Sequence, residues 1–365
     1  VQLSLLAFWQ SRREKMFKRL FNELTLTFDI SPKESPLLIK SGRESGVDPT
    51  LLDMNFVRTI NPLTGKMTIY LPGSSLKGTL RSYCEKIART VRPDGGSRWC
   101  CDPFDLDVRS SNVFCGKRLE QKNADAKKRR ESESIQEEYA SQAARKKSTS
   151  LFYKGSCLAC RTFGNTQIAS HLSLSDAYPL DEPKLEQRDG VAIDRIFNTV
   201  AAGPFNMEVV TQGTFRAKMM LRNFQLWQVG LLAVALRELG TGKVPIGFGK
   251  SKGFGRVSLA YQKLEMSYPG RFSKQEGIRD FSRELIDLES FDFPDKEDYG
   301  LFAGKVNSLK LKGEAANDID DGTLGRITTG WKDTASIEEI LNSTIGNWRD
   351  CALSEWSPSE DWRDE

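Results

Sequence analysis

The sequence predicts an α+β fold in ferredoxin-like βαββαβ order, and three observations predict it. Between Leu24 and Ile30 the hydrophobic period is two, Leu24, Leu26, Phe28 and Ile30 alternating with Thr25, Thr27 and Asp29. Two stretches have helical period instead: Leu76, Leu80, Tyr83, Cys84 and Ile87, then Leu226, Val229, Leu232, Ala233, Leu236 and Leu239. Strand patterns lie between these helices and after the second, so the body runs strand, helix, two strands, helix, strand.

The 365 residues can bury a large core and carry more than one domain. They divide into an N-terminal helical segment (1–22), a core (23–267) and an acidic extension (268–365). No run approaches the ~18 to 20 apolar residues of a membrane span. Arg12, Arg13 and Lys15 follow the short apolar start, the wrong order for a secretory signal, so a cytoplasmic protein with no membrane association is expected. The net charge of +4 hides a split: residues 281–365 hold 9 Lys/Arg against 20 Asp/Glu, leaving 44 against 29 in residues 1–280. A basic body suits a polyanionic partner.

In chain order, Leu5, Leu6, Phe8, Trp9, Met16, Phe17 and Leu20 recur at loosely helical intervals, and the first core strand then runs to Pro32. Ser41 to Thr50 is a Gly/Ser/Asp/Pro loop opening onto Leu51 to Arg58, with Asp53 at the junction and Asp48 within the loop. Such junctions hold reactive side chains, although an acid there also serves as a turn or cap. Next comes IYLPGSSLKGTLRSYCEKIA, Ile69 to Ala88. Pro72 and Gly73 end a short strand, Ser74 or Ser75 is placed to cap the helix, and Lys77 and Arg81 stand four apart on one face. A helix N-terminus flanked by cations is an anion site; a plain cap with a solvated basic face reads the same residues equally well.

Cys100, Cys101 and Cys115 precede Cys157 and Cys160 in SCLACRTFG. In a reducing compartment a Cys-x-x-Cys pair with upstream cysteines favours Zn²⁺, which takes four thiolate or imidazole ligands tetrahedrally. Cys115, Cys157, Cys160 and one of Cys100/Cys101 form the expected structural site in an insertion lobe (about 95–163), with His171 replacing one sulfur as the variant. Cys84 falls on the apolar helix face and reads as core. Lys117 to Ser150 mixes charges without an apolar stripe, a solvated helix or disordered loop.

Ser170 to Pro179 alternates weakly as a strand, and a polar stretch, Glu182 to Gly203, contains RDGVAIDRIFNTVAAG and is followed by Pro204, Phe205 and Asn206. Met207 to Val210 and Phe215, Ala217, Met219 and Leu221 alternate with polar residues, among them Arg216, Lys218 and Arg222, giving one apolar and one basic strand face. After the second helix comes PIGFGKSKGFGRVSLAY. Gly247, Gly249, Gly253 and Gly255 let backbone amides approach a phosphate, and Lys250, Lys252 and Arg256 neutralise it. It is neither a P-loop nor a Rossmann turn, since it lacks the Gly-Lys-Ser/Thr ending and precedes a strand. In the acidic extension Leu285, Leu288, Ile337, Ile340 and Leu341 hint at helices, and Trp331, Trp348, Trp356 and Trp362 read as packing or interface anchors.

GSSLKGTLR resembles the GSSLKGxxR signature of the RAMP proteins, the RNA-binding subunits of CRISPR effector complexes, and most closely the backbone subunit of type III complexes, including a type III-D variant with an insertion. The Asp ahead of Phe56-Val57-Arg58, the Cys-x-x-Cys-Arg-x-Phe-Gly box and the glycine-rich loop add to the likeness, which covers most of Leu24 to Leu264. The resemblance implies an RRM-like core that binds guide RNA and pairs it with target RNA among other effector subunits. It implies that Ile193, Asp194 and Arg195 lie in a projecting thumb (about 182–212), with Phe205 beside it. RNA contacts are then expected from Ser74, Ser75, Lys77, Arg81, Arg195, Phe205, Arg216, Lys218, Gly249, Lys250, Lys252 and Gly253. Asp53 matches the acid that cuts target RNA by 2′-hydroxyl attack, with Mg²⁺ or another divalent ion; Asp48 is the second acid. Gly42 and Gly46 are separated where the family has paired glycines, and Met54-Asn55 replaces its Asn/Ser-Pro. A non-catalytic scaffold is therefore the alternative, and a histidine-dependent guide-processing ribonuclease a third reading resting on His171 alone.

Overall fold

The alternating stretch becomes β1 (Glu23–Pro32), the strand around which the main sheet is assembled. The computed structural model describes residues 16–41, 54–121, 124, 150–271, 273–293, 296–312, 317–321, 325–356 and 358. After β1 come β2 (Arg58–Ile60), β3 (Met67–Ile69), helix α1 (Gly73–Val91), the short α2 (Gly96–Cys100) and α3 (Leu158–Phe163). Then follow β4 (Leu172–Leu174), β5 (Tyr178–Pro179), β6 (Lys184–Ile193), β7 (Val200–Gln212), β8 (Phe215–Arg222), α4 (Leu226–Gly240) and β9 (Val257–Pro269). The C-terminal part adds β10 (Gln275–Glu276), β11 (Arg279–Asp280), β12 (Glu284–Ile286), β13 (Ser308–Lys310), β14 (Asn317–Asp321), β15 (Arg326–Trp331), α5 (Thr334–Ser343) and α6 (Ile345–Leu353).

Strands of the main sheet stand in the order β14-β15-β9-β1-β8-β4, with β5 also pairing β8. The inner four, β9-β1-β8-β4, are all antiparallel and follow the fourth-first-third-second order of a βαββαβ unit. Register puts Leu26 opposite both Met219 and Leu264, so the period-two apolar rows of three strands face one side together. Leu24, Leu26, Phe28 and Ile30 are buried there, and truncating one such core residue to alanine costs ~2–5 kcal/mol. Helices α1 and α4 pack against each other beside this layer.

Of the strand signals between the two helices, the sheet takes up Leu172–Leu174 and Phe215–Arg222. Met207–Val210 instead belongs to a long hairpin, β6 with β7, whose outer half is exposed on both strands. The base of that hairpin is held by Leu37 and Met54, which pair with Val210 and Met207.

The acidic C-terminal residues are built into the same core. β15 pairs with β9 from Arg326↔Pro269 to Trp331↔Leu264, and α5 and α6 pack on α4. Gly230 permits the close approach of α6, since a Cβ there would collide with the Thr344 carbonyl. Asp287 accepts from the backbone N–H of Leu226 at 2.6 Å and of Glu289 at 2.8 Å, so it supplies the N-terminus of α4 from 61 residues away. Burial pushes its carboxyl up to about 7 against these donors. Trp331 and Trp348 are buried, and Trp356 packs on Trp227 and Phe302, the anchoring role expected for them. Trp362, residues 1–15 of the N-terminal helical segment, and 125–149 of the charged insertion lie outside the described residues. Met16–Lys18 forms a single 3₁₀ turn. No described helix is long and apolar enough to cross a membrane.

Candidate functional site

Two groups of predicted site residues come together, one around sulfur and one around cationic nitrogen. Cys101, Cys115, Cys157 and Cys160 converge, all buried, with their sulfurs within 4.8 Å of one another. Cys157 Sγ lies 3.5 Å from Cys101 Sγ, and Cys101 Sγ lies 3.6 Å from Cys160 Sγ. Sulfurs placed tetrahedrally at ~2.3 Å from one ion would be about 3.8 Å apart, so the donor set fits a single metal ion. Chain geometry assembles it: Cys157 is the N-cap of α3, which turns Cys160 back beside it, and Cys157 N–H donates to Cys115 Sγ at 3.2 Å. Burial alone would push the Cys157 thiol up, but hydrogen bonds from Cys101, Cys115 and Cys160 hold it well below the usual thiol range.

Two expected candidates for this site are corrected. Cys100 is the last residue of α2, and its thiol points to the Glu85 carbonyl at 3.8 Å; the extended backbone at Cys101 sends the next side chain into the cluster instead. His171 is buried elsewhere, its Nδ1 at 2.7 Å from the Arg222 carbonyl and its ring against Phe17 and Tyr153. Cys84 is core, as expected.

The helix that follows Pro72 also differs from expectation at its start. Pro72 is the N-cap, no side chain caps the helix, and Ser74 and Ser75 stand inside the first turn. The Gly73 N–H is satisfied by the Asp176 carboxylate at 2.8 Å, so an internal acid occupies the end of the helix. Lys77 is half-buried and donates to Ser170 Oγ at 2.9 Å and the Leu172 carbonyl at 3.0 Å. Burial, with help from Arg81, lowers its pKa. Arg81 bonds Glu85, the Gly164 carbonyl at 3.0 Å and Cys160 Sγ at 3.5 Å. Ser74, Gly78, Ser82 and Lys86, four apart along the other side of α1, are the exposed stripe.

Near that stripe lies the glycine-rich loop. Gly247, Gly249, Gly253 and Gly255 all have φ between +76° and +88°. Phe248 N–H donates to the Leu38 carbonyl at 2.7 Å and Gly255 N–H to the Pro36 carbonyl at 2.9 Å, so the loop is sewn to the strand segment that also pairs with β7 and with Phe56. A Cβ on Gly255 would strike the Ile246 carbonyl, whereas one on Gly253 would meet nothing within 4 Å. Lys250 and Lys252 are exposed, and burial together with Lys86 lowers the Lys250 pKa, which marks two ammonium groups close to each other. No carboxylate among the described residues pairs with Lys86, Lys250 or Lys252. Lys252 Nζ reaches Gly190 of the long hairpin.

On the open sheet face, the two arginines are already paired: Arg216 holds Asp29 at 2.7 and 2.9 Å, and Arg222 holds Glu23 at 2.7 Å. Lys218 has no such partner among the described residues. At the hairpin turn, Asp194 accepts from the N–H groups of Ile196 and Phe197, leaving Arg195 exposed with Ile196 at 80 % and Phe197 at 75 % exposure. Phe205, lower on the hairpin opposite Gly190, is half-buried.

Asp53 and Asp48 lie outside the described residues. The segment after Asp53 is fixed, since Met54 N–H donates to the Asn206 carbonyl at 3.1 Å and Glu208 bonds both Phe56 N–H and Arg58. Lys86, Asp176, Arg118 and the Ile196-Phe197 tip were not singled out by the sequence reading. Lys86 was detectable from its place four residues beyond Ser82 on the face opposite the apolar row; Asp176 carries no local signal. A family model described as the RAMP superfamily matches residues 34–258 of the chain. No curated protein matches it.

Proposed function

The chain belongs to the RAMP superfamily, and from that membership we propose that it is a guide-RNA-binding backbone subunit of a type III CRISPR effector complex that cuts guide-paired target RNA through Asp53. One observation carries the RNA-binding half: Lys86, Lys250 and Lys252 gather at the glycine-rich loop without carboxylate partners among the described residues, beside the base of a projecting hairpin. Cations without carboxylate partners among the described residues suit a polyphosphate chain read without regard to base. Lys218 on the open sheet face and Arg195 at the hairpin turn are further exposed cations, and Ile196 with Phe197 offers an apolar tip of the kind that enters between bases.

In this reading the target's own 2′-hydroxyl attacks the adjacent phosphate, leaving a 2′,3′-cyclic phosphate and a 5′-hydroxyl. Asp53 takes the hydroxyl proton or binds a metal ion. Mg²⁺, when bound, supplies charge neutralisation at the phosphate. The buried, hydrogen-bonded His171 weighs against a histidine-dependent nuclease. A zinc ion on the four cysteines serves structure, since the site is closed by four protein donors.

The test is the ladder of target fragments produced by reconstituted complexes with Mg²⁺. Asp53→Ala should leave guide and target binding near the parent value and abolish the cuts facing this subunit, a loss of ~10² or more for acid–base catalysis. An unchanged ladder would leave the chain a non-catalytic scaffold, or move the chemistry to Asp48.

A further inference from the structure

Two guanidinium groups touch the sulfur cluster from opposite chain segments. Arg81 of α1 brings Nη2 to 3.5 Å from Cys160 Sγ, and Arg118 brings Nη2 to 3.6 Å from Cys115 Sγ. Each is held independently of the sulfur. Arg81 also bonds Glu85 and the Gly164 carbonyl at 3.0 Å, and Arg118 bonds Ser97 Oγ at 3.0 Å and the Gly155 carbonyl at 2.7 Å. Arg89 adds a third cation one step away, donating to the Cys101 carbonyl at 2.6 Å and to Glu85 at 3.4 Å.

We propose that Arg81 and Arg118 balance the charge of a single divalent ion held by Cys101, Cys115, Cys157 and Cys160, and that Arg81 thereby ties the GSSLKG helix to the metal rather than to RNA phosphate. Four thiolates around one divalent ion leave two negative charges, and a buried uncompensated charge is costly. With the Glu85 carboxylate offset by Arg89, the guanidiniums of Arg81 and Arg118, on two different sulfurs, cancel that excess where it resides. The sulfurs are too close together to surround the inorganic core of a multinuclear cluster. The inference rests on the metal reading of the cysteines and is independent of the RNA-binding reading.

The experiment uses the full chain, with metal content by mass spectrometry, Zn²⁺ affinity by chelator competition and Co²⁺ absorption as the probe of a tetrathiolate site. Arg81→Gln and Arg118→Gln should each weaken Zn²⁺ binding about 10- to 100-fold, the usual effect of removing a partner of a metal ligand. Arg81→Lys, which keeps the charge, should recover part of that loss. Cys115→His exchanges a thiolate for a neutral imidazole, so combined with Arg118→Gln it should lose less affinity than the product of the two single losses; this comparison separates charge balance from mere loss of packing. Lys86→Gln should leave metal affinity unchanged. Glutamine variants within twofold of the parent, or a double variant whose losses simply multiply, would overturn the assignment, and a metal-free parent would overturn the metal reading beneath it. If the parent binds metal in this arginine-dependent way yet binds no RNA, the proposed function fails and the inference stands.

Discussion

Neutralising Lys86, Lys250 and Lys252 together to glutamine should change how RNA binding responds to salt, and the size of the change follows from their having no carboxylate partners among the described residues. A contact to single-stranded nucleic acid contributes about 0.7 to the slope of log affinity against log salt, so three contacts contribute about 2.1. Raising KCl from ~50 to ~200 mM should therefore cost the parent about 18-fold more affinity than the triple variant. Fluorescence anisotropy of a labelled guide-length RNA, titrated with the full chain across that range, reads both slopes. Arg216→Gln is the internal comparison: its guanidinium is engaged with Asp29 on two hydrogen bonds, so its removal should move the slope far less than loss of any one of the three lysines. Arg81→Gln should not move it at all, because that side chain faces sulfur. Parallel salt plots for the parent and the triple variant would refute the placement of the phosphate track at the glycine-rich loop.

Three further outcomes are expected. Cys157→Ser should abolish metal retention and make the chain sensitive to limited proteolysis, since structural zinc contributes on the order of 10 kcal/mol to a small lobe, while Cys100→Ser should keep full metal content; metal analysis of both variants decides it. Gly255→Ala should destabilise severely because its Cβ meets the Ile246 carbonyl, whereas Gly253→Ala, in open space, should cost only about 1 kcal/mol for its left-handed backbone, and urea unfolding separates the two. Burial lowers His171 to about 4, so its contribution is complete above the unfolded value near ~6.5 and is lost as pH falls toward about 4. Burial raises Asp287 to about 7, so its contribution is complete below the unfolded value near ~3.9 and is lost as pH rises to about 7. Unfolding free energies of His171→Gln and Asp287→Asn between these limits should tilt in opposite directions relative to the parent, and parallel profiles would contradict both assignments.

Legibility in the sequence followed the range of the interaction. β1, α1, α4 and β9 were readable because their burial repeats every two or 3.6 residues within a single stretch. β4 showed only as the weak alternation of Ser170 to Pro179, because three residues barely show a period, and pairing with β8 draws them into the sheet. The four-cysteine cluster was visible as a set of donors, but the choice between adjacent Cys100 and Cys101 depends on which way the chain leaves α2. Likewise, Arg216 and Lys218 look alike in an alternating row, and only register with β1 places Asp29 opposite one of them. The end of α1 misled for the same reason, since the carboxylate that fills it lies 103 residues downstream of Gly73.

The C-terminal hairpin has a consequence for how molecules of this kind can stand side by side. A bare βαββαβ sheet ends at its last strand, whose unpaired N–H and C=O groups form a template for a neighbour. Here β15 consumes that template along β9, and the new margin is β14, Asn317–Asp321, in which three of five residues are aspartates. While β15 pairs with β9, that template is closed to a second copy. A truncation after Pro269 would remove β15 and leave the β9 edge open as a template again.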